Sequence, residues 1–293
     1  MPLMLDLVAD ARRMAYGSMS DQLNFLAEEA PLGAAELKMS MDPNGITPGM
    51  VLSSGLNVYY VVAVVAAEKK IVVYPTYDNS KSDALPVGSP IMIRPRATDW
   101  ALFNDLNTVI RSLSSSTHGL YRAGSWTTTS AVSWDTYPIP ADAQDMTNLI
   151  RVSVKRPGYS DDVWVELPPN SVKWQPEHNV VRITSYQTSG FDVRFDYKAP
   201  FKQATALTDD VVTDLGLAET MVDIPPLGAA SNLMRTTESR RSNIHAQGDP
   251  RRPDEVPSGA NTDAARSFER EFKRRVSDEY VRLVNRNPWV RQL

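Results

Sequence analysis

The sequence predicts an α+β fold: a discontinuous helical bundle with a small β-barrel-like insert and a β-sandwich module. Three observations lead to this prediction. Apolar residues recur every three or four positions in separated segments near both ends and in the middle of the chain. Between them lie two stretches of short β-branched runs divided by turn residues. The 293 residues include 21 prolines against 14 glycines, which is typical of many rigid turns and strand ends.

Residues 1–46 are predicted to supply the N-terminal helices of the bundle. The apolar residues of 2–15 share one helical face and predict a first helix. A second helix is expected between Ser20 and Pro31, with Leu26 on its apolar face. Neither helix is long enough to be stable alone, so both are expected to pack against other helices.

Residues 47–97 are predicted to form the barrel-like insert. The runs VYYVVAVV, KIVVY and PIMIRP are typical of buried strands, and a polar, turn-rich loop separates the last two. The loop residues from Asp78 to Asp83 faintly resemble a calcium-binding loop, but the central Gly and the terminal Glu of that motif are missing. A solvated turn is therefore the favoured interpretation of this loop.

Residues 98–122 are predicted to return to the bundle, because Thr98 and Asp99 can cap a helix whose stripe includes Leu102 and Leu106. Residues 123–199 are again predicted to form short strands. The runs LIRVSVKR, DVWVEL, SVKW, VVRITSY and FDVRFDYK are separated by Pro and Gly turns. This spacing is typical of a β-sandwich.

Residues 200–293 are predicted to hold the C-terminal helices. We expect a short helix from Thr208, a second from the Pro225–Pro226 pair, and an exposed linker over residues 248–259. A long amphipathic helix follows, with basic residues opposite its apolar stripe, and Pro288 is expected to stop it.

Composition narrows the classes of function. There is no Cys, which excludes disulfides, thiolate metal sites and a Cys nucleophile. The most apolar stretch, residues 58–67, is half as long as a membrane-spanning helix requires, so no membrane span is expected. The charge is uneven: residues after 234 include 13 basic and 9 acidic side chains, and the remainder includes 18 and 26, giving net charges of +4 and −8. The C-terminal arm is therefore expected to dock on an acidic surface, to lie near nucleic acid, or simply to be a solvated face.

Catalytic signals are weak. His118, His178 and His245 are far apart in sequence and lie in polar segments, where neither metal binding nor acid–base catalysis is favoured. The common hydrolase, dinucleotide-binding and phosphate-binding motifs are absent from the sequence.

A glycan-hydrolysing site is the enzymatic alternative. Carboxylate pairs occur at Asp142 with Asp145 and at Asp161 with Asp162, and glycosidases require such pairs. Four tryptophans within fifty residues could form a sugar platform: Trp126, Trp134, Trp164 and Trp174. Turn roles for the acids and packing roles for the aromatics are favoured. Trp164 shares a strand face with polar residues, so it is expected at a contact surface.

Two parts of the chain carry a resemblance to a known family. The segment FDYKAPFKQATALTDD, with Tyr197, Pro200, Leu207 and Thr208, resembles the end of the β module in head-to-tail adaptor (connector) proteins of tailed bacteriophages. The segments LNVYYVVAVVAAEKKIVVYPTYDN and PVGSPIMIRPRATDWALFNDLNTVIRSL look like the barrel insert and following helix of actinobacteriophage virion proteins.

The resemblance implies a non-enzymatic virion structural protein without cofactors or metals. Such a protein is assembled in the host cytoplasm and forms a ring, expected to be a dodecamer, beneath the portal at the head-to-tail interface. Its implied partners are the portal protein and a head-closure (stopper) or tail protein, and genomic DNA passes through the ring without sequence-specific binding. A minor tail, tail-completion or host-binding virion protein is the alternative, and a β-sandwich glycan hydrolase is a remote one.

Two sets of contact residues are predicted. An apolar, basic end beyond a Pro-terminated helix is typical of a segment that docks on a partner. The portal-docking set is Arg282, Arg286, Pro288, Trp289, Val290, Arg291 and Leu293. The insert is expected to project from the bundle and contact a neighbouring subunit. The subunit-contact set is Asp78, Asn79, Lys81 and Trp164.

Overall fold

The computed structural model describes residues 2–17, 22–75, 83–129, 136–155, 163–184, 190–246 and 260–286. The described residues contain four helices and thirteen strands, so the predicted α+β class is confirmed. The helices are α1 (Met4–Tyr16), α2 (Asp99–Leu113), α3 (Ile224–Ala246) and α4 (Ala260–Arg286). The first six strands are β1 (Gln22–Phe25), β2 (Glu36–Lys38), β3 (Val51–Ser54), β4 (Asn57–Val65), β5 (Lys70–Pro75) and β6 (Pro90–Ile93). The other seven are β7 (Arg122–Thr129), β8 (Thr136–Pro138), β9 (Asn148–Lys155), β10 (Trp164–Glu166), β11 (Val172–Gln175), β12 (Val180–Ile183) and β13 (Asp192–Ala199).

The chain divides into two compact units. The first consists of Met1–Val109, Ala204–Val211 and Val222–Phe272, and the second consists of Ile110–Gln203, Val212–Met221 and Lys273–Leu293.

In the first unit, parts of all four helices pack as a bundle. The apolar face of α1 packs against α3, and the Arg12 side chain of α1 forms an ion pair with Asp99 at the start of α2. The hydroxyl of Ser231 in α3 donates a hydrogen bond of 3.0 Å to the carbonyl oxygen of Ala265 in α4. The N-terminal cap predicted for α2 is present, since the backbone N–H of Ala101 donates to Oγ1 of Thr98 at 3.1 Å.

The first unit also contains a six-stranded antiparallel sheet that curls into a half-barrel, with the strand order β1-β6-β3-β4-β5-β2. Backbone hydrogen bonds of 2.8 Å from Ala27 to Lys38 and from Ser40 to Phe25 connect the two edge strands just beyond their ends. The concave side encloses an apolar core. Its most deeply buried members are Leu37, Leu52, Ile71 and Ile91.

The second helix expected between Ser20 and Pro31 is wrong, because β1 occupies this segment. Leu26 is buried, as expected, but its partners are the strands of the half-barrel. The backbone of β1 pairs with β6, where Leu23 lies opposite Met92. The four residues of β1, Gln-Leu-Asn-Phe, are too few to distinguish the helical period from the strand period, and the distant partner strand determines the outcome.

The second unit contains a sandwich of two antiparallel sheets, ordered β10-β9-β13-β7 and β11-β12-β8. Side chains from both sheets form one apolar core, in which Tyr137 of β8 contacts Phe195 of β13 with ring centroids 5.2 Å apart. Trp126 stacks on Phe195 at 4.6 Å. Tyr197 lies directly over Gly124 on the neighbouring strand, where a side chain would leave no room for the ring.

The short helix expected from Thr208 is also wrong. The Asp209 carboxylate accepts hydrogen bonds from the backbone N–H groups of Thr205 at 2.6 Å and Ala206 at 3.0 Å, which closes a turn instead. Although partial burial acts to raise the pKa of Asp209, these hydrogen bonds outweigh it and lower the pKa. The two helices predicted after this turn, one from Pro225–Pro226 and the long basic one, are present as α3 and α4.

Candidate interaction surfaces

Arg282, predicted to contact a portal, is joined to a buried carboxylate of its own helix. Its Nη1 donates a hydrogen bond of 2.7 Å to Oε1 of Glu279, whose residue is only 3% exposed. Glu279 also accepts a hydrogen bond of 3.1 Å from the Thr220 hydroxyl and lies 3.7 Å from Nη1 of Arg275. The charge of Arg282 is therefore partly neutralised within the chain, although its side chain is 60% exposed.

Arg286, the second predicted contact residue within the described chain, is exposed at the end of α4. It lines a cavity of about 340 Å³ together with Arg151 and Arg194. The remaining members of the predicted portal-docking set lie outside the described residues: Pro288, Trp289, Val290, Arg291 and Leu293.

Trp164 lies on β10, the outer strand of the four-stranded sheet, opposite Lys155 of β9. Its side chain is partly exposed, and the flanking Val163 and Val165 are exposed. The strand thus presents an apolar edge, which is compatible with the contact role expected for Trp164. The other predicted subunit-contact residues lie outside the described part of the chain: Asp78, Asn79 and Lys81.

The structure reveals an apolar surface that sequence analysis missed, on the convex side of the half-barrel. We call it the β4–β5 patch. Tyr60 and Tyr74 are cross-strand partners and are 47% and 67% exposed. Val62, at a β-bulge between Val61 and Ala63, is 55% exposed. The patch consists of Tyr60, Val62, Val72 and Tyr74.

The sequences of β4 and β5 contain the apolar residues of this patch but do not show which of them are exposed. The runs VYYVVAVV and KIVVY are apolar at consecutive positions, so alternation does not reveal which face of each strand is solvated. The curvature of the sheet decides it, because Tyr59, Val61 and Val73 point into the concave core.

The residues considered for catalysis do not converge. His118 is partly buried, and its burial, followed by the charge of Lys273, lowers its pKa. His178 is exposed in a short turn after β11, and His245 belongs to α3. Among the residues that the structure describes, no group of three or more His, Asp or Glu side chains could hold a metal ion.

The carboxylates and tryptophans of the glycan-site alternative are also dispersed. Glu166 and Trp174 line a cavity of about 270 Å³ that neither Asp142 nor His178 lines. Asp145 instead accepts a hydrogen bond of 2.5 Å from Arg122. Trp126 and Trp174 pack against the sandwich core, as the packing interpretation expected. Asp161, Asp162 and Trp134 lie outside the described residues.

No protein-family model matches this sequence, and the search of curated proteins finds no match. None of the helices described is long and apolar enough to cross a membrane. The class of the protein is therefore defined by its structure alone: an α+β protein with a helical bundle, a curled half-barrel sheet and a two-sheet sandwich.

Proposed function

We propose that the protein is a non-enzymatic virion structural protein, a head-to-tail adaptor that forms a ring beneath the portal and joins the capsid to the tail. The observation that carries this proposal is the β4–β5 patch. An assembling subunit requires an apolar contact surface on a rigid element, whereas an enzyme requires polar groups that converge in a cavity. The resemblance of the half-barrel strands and of the segment after Tyr197 to bacteriophage proteins supports the adaptor class.

The geometry of the β4–β5 patch suits contact with a second copy of the chain. Two tyrosines on adjacent strands form an amphipathic surface, and Tyr is enriched in the cores of protein interfaces. The neighbouring Val62 and Val72 add aliphatic area, while the strand pairing places Tyr60 directly opposite Tyr74. Because few rotatable bonds must be ordered, association on this surface costs little conformational entropy.

The distribution of charge supports a role around DNA without tight binding. Residues 1–234 have a net charge of −8, and an acidic lining lets DNA slide because phosphate affinity comes from basic residues. In this proposal genomic DNA passes through the ring, the portal protein meets one face, and a head-closure or tail protein meets the other. The ring is located in the virion after assembly in the host cytoplasm.

The proposal is tested on the purified protein, alone and mixed with portal rings, by negative-stain microscopy and mass photometry. We expect micrographs with closed rings or with ring-shaped density added to the portal. We expect mass photometry to show particles with the mass of a multi-subunit ring. The double variant Tyr60→Ser with Tyr74→Ser should remain folded and lose association between copies. Leu32→Ser is the matched control, because Leu32 is a 61% exposed apolar residue of the same unit outside the patch.

Two outcomes contradict the proposal. A protein that stays monomeric or trimeric and does not bind the portal favours a minor tail or host-binding role. Saturable hydrolysis of a soluble cell-wall glycan, lost on substitution of Glu166, favours the hydrolase.

A further inference from the structure

An arginine-rich cleft lies in the second unit, between one face of the four-stranded sheet and the last turns of α4. Its cavity has a volume of about 340 Å³. Strands β9 and β13 contribute Arg151 and Arg194, and α4 contributes Arg286. A cavity of this size accepts one or two amino-acid side chains, but it is too small for a duplex nucleic acid.

The cleft has more positive than negative charge. Its lining includes three arginines and one acid, Asp196. Asp196 is 7% exposed and is shared: Nε of Arg151 donates to its Oδ2 at 2.5 Å, and Nε of Arg194 donates to its Oδ1 at 2.9 Å. The hydrogen bond to Asp196 raises the pKa of Arg151, so this guanidinium keeps its charge at every physiological pH. Glu166 lies close enough to Arg151 to interact with its charge.

Both strand arginines keep unused donors. Each binds Asp196 only through Nε, and within the described chain no acceptor is recorded for the Nη groups of Arg151 or Arg194. The paired Nη groups of a guanidinium match the two oxygens of a carboxylate. Arg286 likewise has no recorded hydrogen bond or ion pair to the described residues.

The strand geometry orders these donors in advance. Arg151 and Asp196 are register partners across β9 and β13, and a β-bulge follows directly between Asp196 and Tyr197. Such bulges re-aim side chains near binding sites. Because the bonds to Asp196 already restrict both guanidinium groups, a ligand loses little affinity to side-chain ordering.

The remaining lining is apolar. Four apolar side chains also line the cleft. They are Leu217 and Met221 from the segment before α3, Leu283 from α4 and Ile150 from β9. A ligand that fits therefore combines a carboxylate with an adjacent apolar group. An acidic peptide has this combination, whereas the phosphates of a nucleic-acid backbone are flanked by polar sugars and not by an apolar side chain.

We propose that this cleft binds an acidic segment of a partner protein, in which one Asp or Glu carboxylate pairs with Arg151 and Arg194 and a neighbouring apolar side chain packs on Leu217 and Met221. Arg286 closes the open side of the cleft over the bound carboxylate. This inference does not depend on the adaptor role, because it rests only on the charge and shape of the cleft.

The test uses fluorescein-labelled synthetic peptides of the form Gly-X-Glu-X-Gly, where X is Leu or Phe, and matched peptides with Gln in place of Glu. Fluorescence anisotropy with the full chain should show that the Glu peptides bind about tenfold more tightly, since one charge-assisted hydrogen-bond pair accounts for such a ratio. Arg194→Gln should remove this difference. Arg182→Gln, an exposed arginine on the other sheet, should leave it unchanged.

Loss of binding in Arg194→Gln could also reflect a disturbed Asp196. Arg286→Gln distinguishes these two explanations, because Arg286 makes no recorded hydrogen bond or ion pair with the described residues. The melting temperature of this variant should equal that of the wild type, while its affinity for the Glu peptides should fall. Equal binding of Glu and Gln peptides would overturn the proposal. Unchanged affinity in both arginine variants, or tighter binding of a labelled 12-nucleotide single strand that depends on the same arginines, would overturn it as well.

Discussion

Gly228 of α3 lies in direct contact with Val109 of α2: a Cβ atom added to Gly228 would be 2.8 Å from Cγ1 and 3.0 Å from Cγ2 of Val109, and 3.2 Å from Cε2 of Phe272. Three helices of the bundle therefore meet at a position that has no side chain. Val109 is buried and β-branched, so its side chain has few alternative rotamers with which to move away.

Gly228→Ala should destabilise the first unit even though Ala is the better helix former. Overpacking at this contact costs about 2 kcal/mol, whereas the gain in helix propensity is about 1 kcal/mol. We expect a net loss of about 1 kcal/mol in the free energy of unfolding, measured with urea. Asn232→Ala, on the exposed side of the same helix, should be neutral or slightly stabilising. A Gly228→Ala protein as stable as the wild type would show that the helices can separate freely here.

Arg12→Ala tests the ion pair between α1 and α2. Nη2 of Arg12 donates to the Asp99 carboxylate and, at 3.2 Å, to the carbonyl oxygen of Ala97. The Asp99 side chain is only 11% exposed, so removing the Arg12 guanidinium takes one counter-charge away from a largely buried carboxylate. We expect a loss of about 2 kcal/mol in the free energy of unfolding.

Arg13→Ala is the control for this prediction. Arg13 is the next residue of the same helix and pairs with Asp10 at 2.6 Å, but its side chain is 74% exposed. Solvent screening should limit its effect to a few tenths of a kcal/mol. Equal losses in the two variants would contradict the predicted importance of the buried pair, because Ala is the better helix former and propensity alone costs nothing at either position.

The success of the sequence predictions followed the length of each pattern. The stripes of α2 and α4 span several turns, and the Thr98 cap is a local signal, so both helices were predictable. β1 is four residues long and pairs with β6, which lies more than sixty residues later. Its state depends on a partner that no local pattern identifies.

The candidate site residues also differ in how far local sequence predicts them. The basic face of a helix indicates Arg282 and Arg286, because charge and helical period are both local properties. The pairing of Arg151 with Asp196 depends on the register between β9 and β13, which is not encoded in either strand alone. The burial of Glu279 beside Arg282 depends on the position of Thr220, which lies in another segment.

Asp105 of α2 should make stability fall as pH rises. Its partial burial raises the pKa of its carboxyl in the folded state. Between the ordinary Asp pKa of about 3.9 and the raised value, the folded state binds the proton more tightly than the unfolded state. The contribution of Asp105 is therefore most favourable below pH 3.9 and is lost as pH rises through the raised pKa.

Asp105→Asn removes this penalty. Urea unfolding at pH 4 and pH 7 should show the variant gaining stability over the wild type as pH increases. Asp142→Asn, a substitution of an exposed acid, serves as the control for the loss of one carboxylate. A constant difference between Asp105→Asn and the wild type at both pH values would contradict the predicted burial effect.

Glu279→Gln should reveal that the end of α4 is held by a buried charge. Glu279 accepts hydrogen bonds from Arg282 and Thr220, and Arg275 also donates a hydrogen bond of 2.8 Å to the carbonyl oxygen of Thr220. The substitution keeps the shape but leaves two guanidinium groups without their carboxylate, so we expect a loss of about 2 kcal/mol in the free energy of unfolding. Asp278→Asn, whose pair with Arg274 is about half exposed, should lose at most a few tenths of a kcal/mol in the free energy of unfolding.

The same network predicts that Arg282→Ala lowers the melting temperature while Arg286→Ala does not. If both arginine variants have the melting temperature of the wild type, Arg282 has no role in the fold and is available for a partner.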